Sequence, residues 1–317
     1  MHSRPTRQLL PRRSSGGRLA SKTTLLAVIL TSLLTGCQAA FFGGLNAVTR
    51  KAPDIVLHTV AFAPHEKLSL DIYTPHSAID APVIVFFYGG SWMSGKRQWY
   101  RWLGQTLAHH GLVVVTPDYR KWPEVRMDGF MHDASHAVAW TYAHVADYGG
   151  NPRALFVMGH SAGAHIGALL STDPHWLADV GMRPRQLSGF IGLAGPYDFL
   201  PLTNPKFVDM FGRTLQAQQR SQPIHFVDGD EPPMLLLQGT DDRIVGVRNT
   251  ESLTRAMQEQ GESVEMKLYP DIGHTAILLA LAPSFDSKAP VLDDCLSFVH
   301  AYTANRSAET MIRSAHP

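Results

Sequence analysis

Cysteine is nearly absent: 317 residues carry two, Cys37 and Cys295. Two thiols cannot make a disulfide framework. The 16 histidines are scattered, with no His-Glu-x-x-His and no Cys/His cluster at ligand spacing, so the sequence offers no metal site. Acid is missing from the first 36 residues, which hold Arg4, Arg7, Arg12, Arg13, Arg18 and Lys22. Six of the 28 basic residues and none of the 27 acidic ones therefore lie in this segment, and the formal net charge of +1 hides a body that is acidic by about five. That removes the electrostatic footprint of a nucleic-acid binder. Long hydrophobic runs are lacking too, since the stretch from Thr23 to Leu34 is too short for a comfortable membrane span. Repeats and low-complexity tracts are missing, and 44% hydrophobic content suffices for one large core in one globular domain.

With its basic flank, the Thr23 to Leu34 stretch reads as the core of a secretory signal over residues 1–36. The ending Leu34-Thr35-Gly36-Cys37 resembles the lipobox of bacterial lipoproteins. That resemblance implies acylation of Cys37, a tether over 37–53, and a protein held in the bacterial cell envelope, on the periplasmic face or at an outer membrane. Ordinary cleavage near Ala39 or Ala40, with Cys37 incidental, is the alternative. If Cys37 is acylated, Cys295 is left as a small buried hydrophobe.

From residue 54 to 304 apolar strand patterns alternate with helical ones. Ile55 to Phe62 and Leu68 to Tyr73 read as an antiparallel pair, and Pro82-Val83-Ile84-Val85-Phe86-Phe87-Tyr88 as a run buried on both faces of a sheet. Helical spacing follows from Arg97 to His110 and from Met127 to Tyr148, with strands at Leu112 to Thr116 and from Ala154. Later strands are expected at Gly189 to Ala194, Met234 to Gln238 and Val264 to Tyr269, with helices at Val247 to Gln260 and Ala289 to Tyr302. This alternation predicts an α/β fold: a mostly parallel sheet, helices on both faces, and a site at the C-terminal strand ends. Residues 199–233 form a small lid insertion containing one helix, Pro205 to Gln218, and 305–317 are a C-terminal tail.

The chain is organised around Leu155-Phe156-Val157-Met158-Gly159-His160-Ser161-Ala162-Gly163. An apolar strand stops at a glycine and restarts as a small-residue helix, which puts Ser161 at the apex of a Gly-x-Ser-x-Gly turn. There the helix N-terminus favours developing negative charge. A serine hydroxyl needs a base, and the base works best with a carboxylate fixing its tautomer. The segment Gly239-Thr240-Asp241-Asp242, after one strand, and His274, after the next, supply them in the order Ser, acid, His. The loop Gly89-Gly90-Ser91-Trp92 leaves backbone amides uncovered. His165, one turn beyond Ser161, reads as packing, and His160 as support for the site.

Asp118-Tyr119-Arg120 with Pro123-Glu124, then Asp133 and Trp140, then Gly159-His160-Ser161-Ala162-Gly163 and Gly239-x-x-Asp242-x-x-Val245 resemble the α/β-hydrolase superfamily. The similarity, over roughly Leu68 to Tyr302, is to its bacterial feruloyl-esterase-like and hormone-sensitive-lipase-like carboxylesterases. It implies an α/β-hydrolase fold and a serine carboxylesterase that cleaves short-chain or aryl esters through an acyl-enzyme, with a small-molecule ester as partner and no cofactor. It also implies Asp242 as the acid, with Asp241 the alternative, and the amides of Gly90, Ser91 and Ala162 as the oxyanion hole. Arg120 and Asp133 would brace loops around the site. An arylformamidase-like amidase and a non-catalytic binding lipoprotein are the alternatives. The family's His-Gly-Gly-x-Trp loop reads Tyr88-Gly89-Gly90-Ser91-Trp92 here. The departure at Tyr88 concerns the loop's support, so Tyr88→His is expected to leave activity intact.

Overall fold

The computed structural model describes residues 41–47, 54–283 and 285–315, with side chains to residue 304. The expected signal segment, Cys37 and most of the expected tether lie outside the described residues. Two units are distinguished, residues 1–45 and 46–317. Of the first, residues 41–45 are described and are helical; the helix α1 covers 41–47, within the expected tether. In the second unit, the Asn46 side chain donates to the Gln98 carbonyl at 2.8 Å and accepts the Trp102 amide at 3.0 Å.

The second unit is built on one eight-stranded sheet: β1 (Ile55–Ala63), β2 (Leu68–Pro75), β3 (Ala81–Phe87), β4 (Val113–Pro117), β5 (Gly150–His160), β6 (Gly189–Leu193), β7 (Met234–Gly239) and β8 (Val264–Tyr269). Their order is β1-β2-β4-β3-β5-β6-β7-β8. Only β1 with β2 and β2 with β4 pair antiparallel; the rest are parallel. The central strands have no polar face, as expected where helices cover both sides. Val83, Val85 and Phe87 are as fully buried as Ile84 and Phe86. Each such side chain contributes roughly 1.5–3 kcal/mol by leaving water. Register levels the functional ends: Phe87 pairs with Gly159, Gly159 with Gly192, and Gly239 with Tyr269.

The helices are α2 (Arg101–His109), α3 (Met127–His144), α4 (Ala162–Thr172), α5 (Pro174–Ala178), α6 (Pro205–Phe211), α7 (Leu215–Gln219), α8 (Arg248–Glu259), α9 (His274–Leu279) and α10 (Val291–Ala315). In α8 the buried residues Thr250, Leu253, Thr254 and Met257 follow the spacing of one helical face. Every residue of α4 is buried, which its small residues permit. Among the described residues no helix is long and apolar enough to cross a membrane.

Four expectations are corrected. The single helix over 205–218 is two, because Gly212 at φ 109° breaks the run and Thr214 starts α7 by accepting the Ala217 amide. Strand β5 begins at Gly150 rather than Ala154, since Gly150 already pairs with Ala81. The tail over 305–317 is a continuation of α10 as far as Ala315. The short helices α5 and α9 were not expected; Asp173 caps α5 by accepting the His175 amide, with Pro174 at its first turn.

Candidate active site

Ser161 stands between β5 and α4 at φ 55°, ψ −121°, a left-handed backbone that a non-glycine residue holds only under constraint. The flanking glycines supply it. A Cβ on Gly159 would lie 2.3 Å from the Gly163 carbonyl oxygen, and one on Gly163 would lie 2.0 Å from that of Phe87. Both positions therefore exclude any side chain, and Ser161 is pinned further by its amide bonding to Leu193 at 2.9 Å.

The three residues expected from different strand ends meet. Ser161 Oγ donates to His274 Nε2 at 2.9 Å, and His274 Nδ1 donates to Asp242 Oδ2 at 2.7 Å. The other carboxylate oxygen accepts the amides of Ile244 and Val245 at 2.8 and 2.9 Å, and Gln238 Nε2 reaches Oδ2 at 3.0 Å. Burial pushes the Asp242 carboxyl up. The bonds from His274, Val245 and Ile244 outweigh it and hold the group below the usual carboxylate range. Asp241 is exposed and spends its amide on Ile272, so of the two acids Asp242 is the one on the histidine. Gln238 went unnoticed in the sequence; its signal was a polar residue ending the run Met234-Leu235-Leu236-Leu237.

His160 lies beside the pair. Its Nε2 donates to the His274 carbonyl at 2.9 Å. Burial, then the neighbouring His274, lowers its pKa to about 3, so it is a neutral donor at ordinary pH. His165 donates Nε2–H to the Ser221 carbonyl at 2.7 Å among Trp92, Phe199 and Phe211, and burial lowers it to about 4. It has no contact with the serine hydroxyl and packs, as its position suggested.

The Gly89–Trp92 loop lies against the serine: a Cβ on Gly89 would come within 3.1 Å of Ser161 Cβ. Gly90 at φ 127°, Ser91 at 54° and Trp92 at 58° turn the chain sharply. The Gly90 carbonyl accepts Met93 and Ser94 amides at 3.0 Å each. In a planar trans peptide the next amide points the opposite way, so Ser91 N–H faces away from that turn. Ala162 opens α4, where first-turn amides have no intrahelical partner.

Tyr88 is more than a loop support. It is fully buried, stacked on Tyr100 at 5.4 Å and on Tyr119 at 4.7 Å, and Tyr119 Oη donates to its carbonyl at 2.7 Å. Lys121 Nζ sits 5.4 Å from the Tyr88 ring, and Arg97 pairs with both Asp71 and the Asp118 that Tyr88 Oη meets at 3.5 Å. Arg120 and Asp133 brace as anticipated, at 2.6 Å. Beyond the serine, Trp92 meets Phe211 at 4.9 Å, Phe207 at 5.8 Å and Phe199 at 6.1 Å. Trp92 and Phe211 are buried, whereas Phe199 and Phe207 stay half-buried.

The family BD-FAE matches residues 70–257, which take in Ser161 and Asp242 and stop short of His274. An isoprenylcysteine alpha-carbonyl methylesterase of Arabidopsis thaliana is 28% identical over 78% of this chain and 62% of its own length. Esterase LipC of Mycobacterium tuberculosis is 30% identical over 63% of this chain and 54% of its own. The chain thus spans between half and two thirds of these relatives. Among solved structures, esterase 2 of Thermogutta terrifontis superposes with a TM-score of 0.64 at 22% identity, over 78% of this chain and 95% of that one, and shows the same fold.

Proposed function

The chain belongs to the BD-FAE family, with an α/β-hydrolase fold, and from that premise we propose that it is a serine carboxylesterase. The observation that carries the reading is the continuous hydrogen-bond chain from Ser161 through His274 to Asp242. His274 Nε2 takes the proton of Ser161 as its oxygen attacks an ester carbonyl, while Asp242 keeps Nδ1 protonated and stabilises the imidazolium. The amides of Gly90, Ser91 and Ala162 receive the oxyanion. His274 then protonates the leaving alcohol, and water releases the acid from the acyl-enzyme by the same steps in reverse roles.

The half-buried rings of Phe199 and Phe207, over helices of only seven and five residues in the 199–233 lid, fit a short acyl group or an aryl one. Each methylene that reaches such a wall is worth roughly 0.8 kcal/mol, and one that passes it gains nothing. A fluorophosphonate probe should label the wild type and spare Ser161→Ala, and acetyl to hexanoyl p-nitrophenyl esters should be cleaved faster than dodecanoyl. An unlabelled wild type would overturn the esterase reading. Maximal kcat/KM at long chains would overturn the size argument alone.

Anchoring through acylated Cys37 in a bacterial envelope is supported by the order of basic flank, apolar stretch and Leu34-Thr35-Gly36-Cys37. Labelled fatty acid should enter the wild type and not Cys37→Ala; soluble, unlabelled wild type would refute it.

A further inference from the structure

The loop after β4, residues 118–126, grips the oxyanion loop at both ends. Tyr119 Oη donates to the Tyr88 carbonyl at 2.7 Å, and the Trp122 amide donates to the Trp92 carbonyl at 2.9 Å. The same loop also reaches the lid. Trp122 Nε1 donates to Asp209 Oδ2 at 2.9 Å, Arg126 Nη2 reaches both carboxylate oxygens at 3.1 Å, and Arg126 Nε reaches the Asp209 carbonyl at 3.0 Å. Lys206, one turn earlier on α6, lies over the Trp122 ring at 5.8 Å. Trp122 thus holds the oxyanion loop with its backbone and the lid with its side chain. Beside the grip a cleft of about 190 Å³ opens between Arg126, Asp209, Phe211 and Arg220, so α6 is not seated there by continuous apolar packing.

We propose that Asp209 is a positioning residue: its carboxylate, held by Trp122 and Arg126, couples seating of the lid over the acyl group to the geometry of the Gly90 and Ser91 amides. This rests on the esterase reading. The physical signature is a separation of effects. Arg126 is 62% and Asp209 34% exposed, and ion pairs in such surroundings contribute little to global stability. An oxyanion donor displaced by a fraction of an ångström is costly to the chemical step, by contrast.

Asp209→Ala should therefore lower kcat on p-nitrophenyl butyrate on the order of tenfold, with KM and Tm nearly unchanged. Asp209→Asn, which can still accept from the indole, should recover part of the loss. Trp122→Phe combined with Asp209→Ala should add little to Asp209→Ala alone, because both cut one link. A rise in KM at constant kcat would make Asp209 a wall of the acyl site and overturn the coupling. If Asp209→Ala folds poorly, Arg126→Gln gives the same reading from an exposed position. Amide hydrogen exchange at Met93 and Ser94, whose bonds close the oxyanion turn, tests the coupling without substrate. Faster exchange in Asp209→Ala and Arg126→Gln is expected, and unchanged exchange overturns the coupling even if the wild type cleaves no ester. A wild type that cleaves no ester but loses protection in these variants would sink the esterase reading and leave the mechanical link standing.

Discussion

On the acid and base side of the serine, the loops after β7 and β8 are laced together by short backbone bonds. Thr240 and Asp241 amides donate to Tyr269 and Ile272 carbonyls at 3.0 Å, and the Asp271 amide reaches Thr240 Oγ1 at 3.1 Å. A Cβ on Gly239 would fall 2.0 Å from the Ile272 carbonyl oxygen, so the two loops touch with nothing between them. On the oxyanion side the lacing is sparser, one bond at each end of the loop from Tyr119 Oη and the Trp122 amide. Between those bonds the support is a stack of three tyrosines drawn from positions 88, 100 and 119, with Arg97 bound to Asp71 and to the Asp118 that meets Tyr88 Oη. Polar, directional contacts fix one half by distance and angle. In the other, broad aromatic contact adds shape to two such bonds, and shape tolerates substitution less gradually.

The comparison breaks first at the nucleophile and base, which belong to both halves. Ser161→Ala and His274→Ala should each lower kcat by on the order of 10⁴ or more, and the double variant should lose little further, because the residues act as a unit. Additive losses in p-nitrophenyl acetate hydrolysis would mean that the two act separately. Within the laced half, Asp242→Asn should cost on the order of 10³ to 10⁴ in kcat, since the amide would hold the wrong histidine tautomer. Asp241→Asn, exposed and off the histidine, should cost almost nothing; the reverse ranking would move the acid to Asp241.

In the stacked half the expected loss is stability before rate. Tyr88→His removes ring area from the middle of the stack and should destabilise by about 1–3 kcal/mol, which replaces the expectation that it is harmless. Tyr88→Phe keeps the stack and gives up only a 3.5 Å contact to Asp118, so its melting point should stay near the wild type. Equal melting points for all three proteins would show that the stack is ornamental.

The last expected effect is a pH slope from two histidines. His160 and His165 titrate near 6.5 when unfolded and near about 3 and about 4 when folded. Below 6.5 the unfolded chain binds protons that the fold refuses. Stability is therefore full above about pH 6.5 and is lost toward pH 4, by about 1.4 kcal/mol per pH unit for each histidine at the steepest. Melting curves at pH 7 and pH 5 should draw closer in His165→Gln than in wild type, and parallel shifts would contradict this.

What could be read from the sequence follows the same division. Strand runs such as Val83 to Phe87 and the spacing around Ser161, Asp242 and His274 were legible because each is a local pattern with its own chemistry. Gly212, which separates α6 from α7, is a helix breaker by type, but a lone glycine inside a helical pattern does not by itself mark a break. The tyrosine stack, the Gln238 bond to Asp242 and the grip of Trp122 and Arg126 on Asp209 join residues 4 to 87 positions apart. No periodicity announces such partners, because they are chosen by the fold and not by their neighbours in the chain.

His160 and Ser161 are consecutive, yet His160 is bonded to the backbone of the base itself. In the sheet, β5 and β8 are separated by β6 and β7, three strand spacings or about 14 Å. Thermal slack between neighbouring strands would accumulate over those three steps before reaching the proton-transfer gap. A direct tie between the residue beside the nucleophile and the carbonyl of the base bypasses the accumulation. Donor and acceptor of the proton transfer are thus tied by one short bond as well as through the sheet.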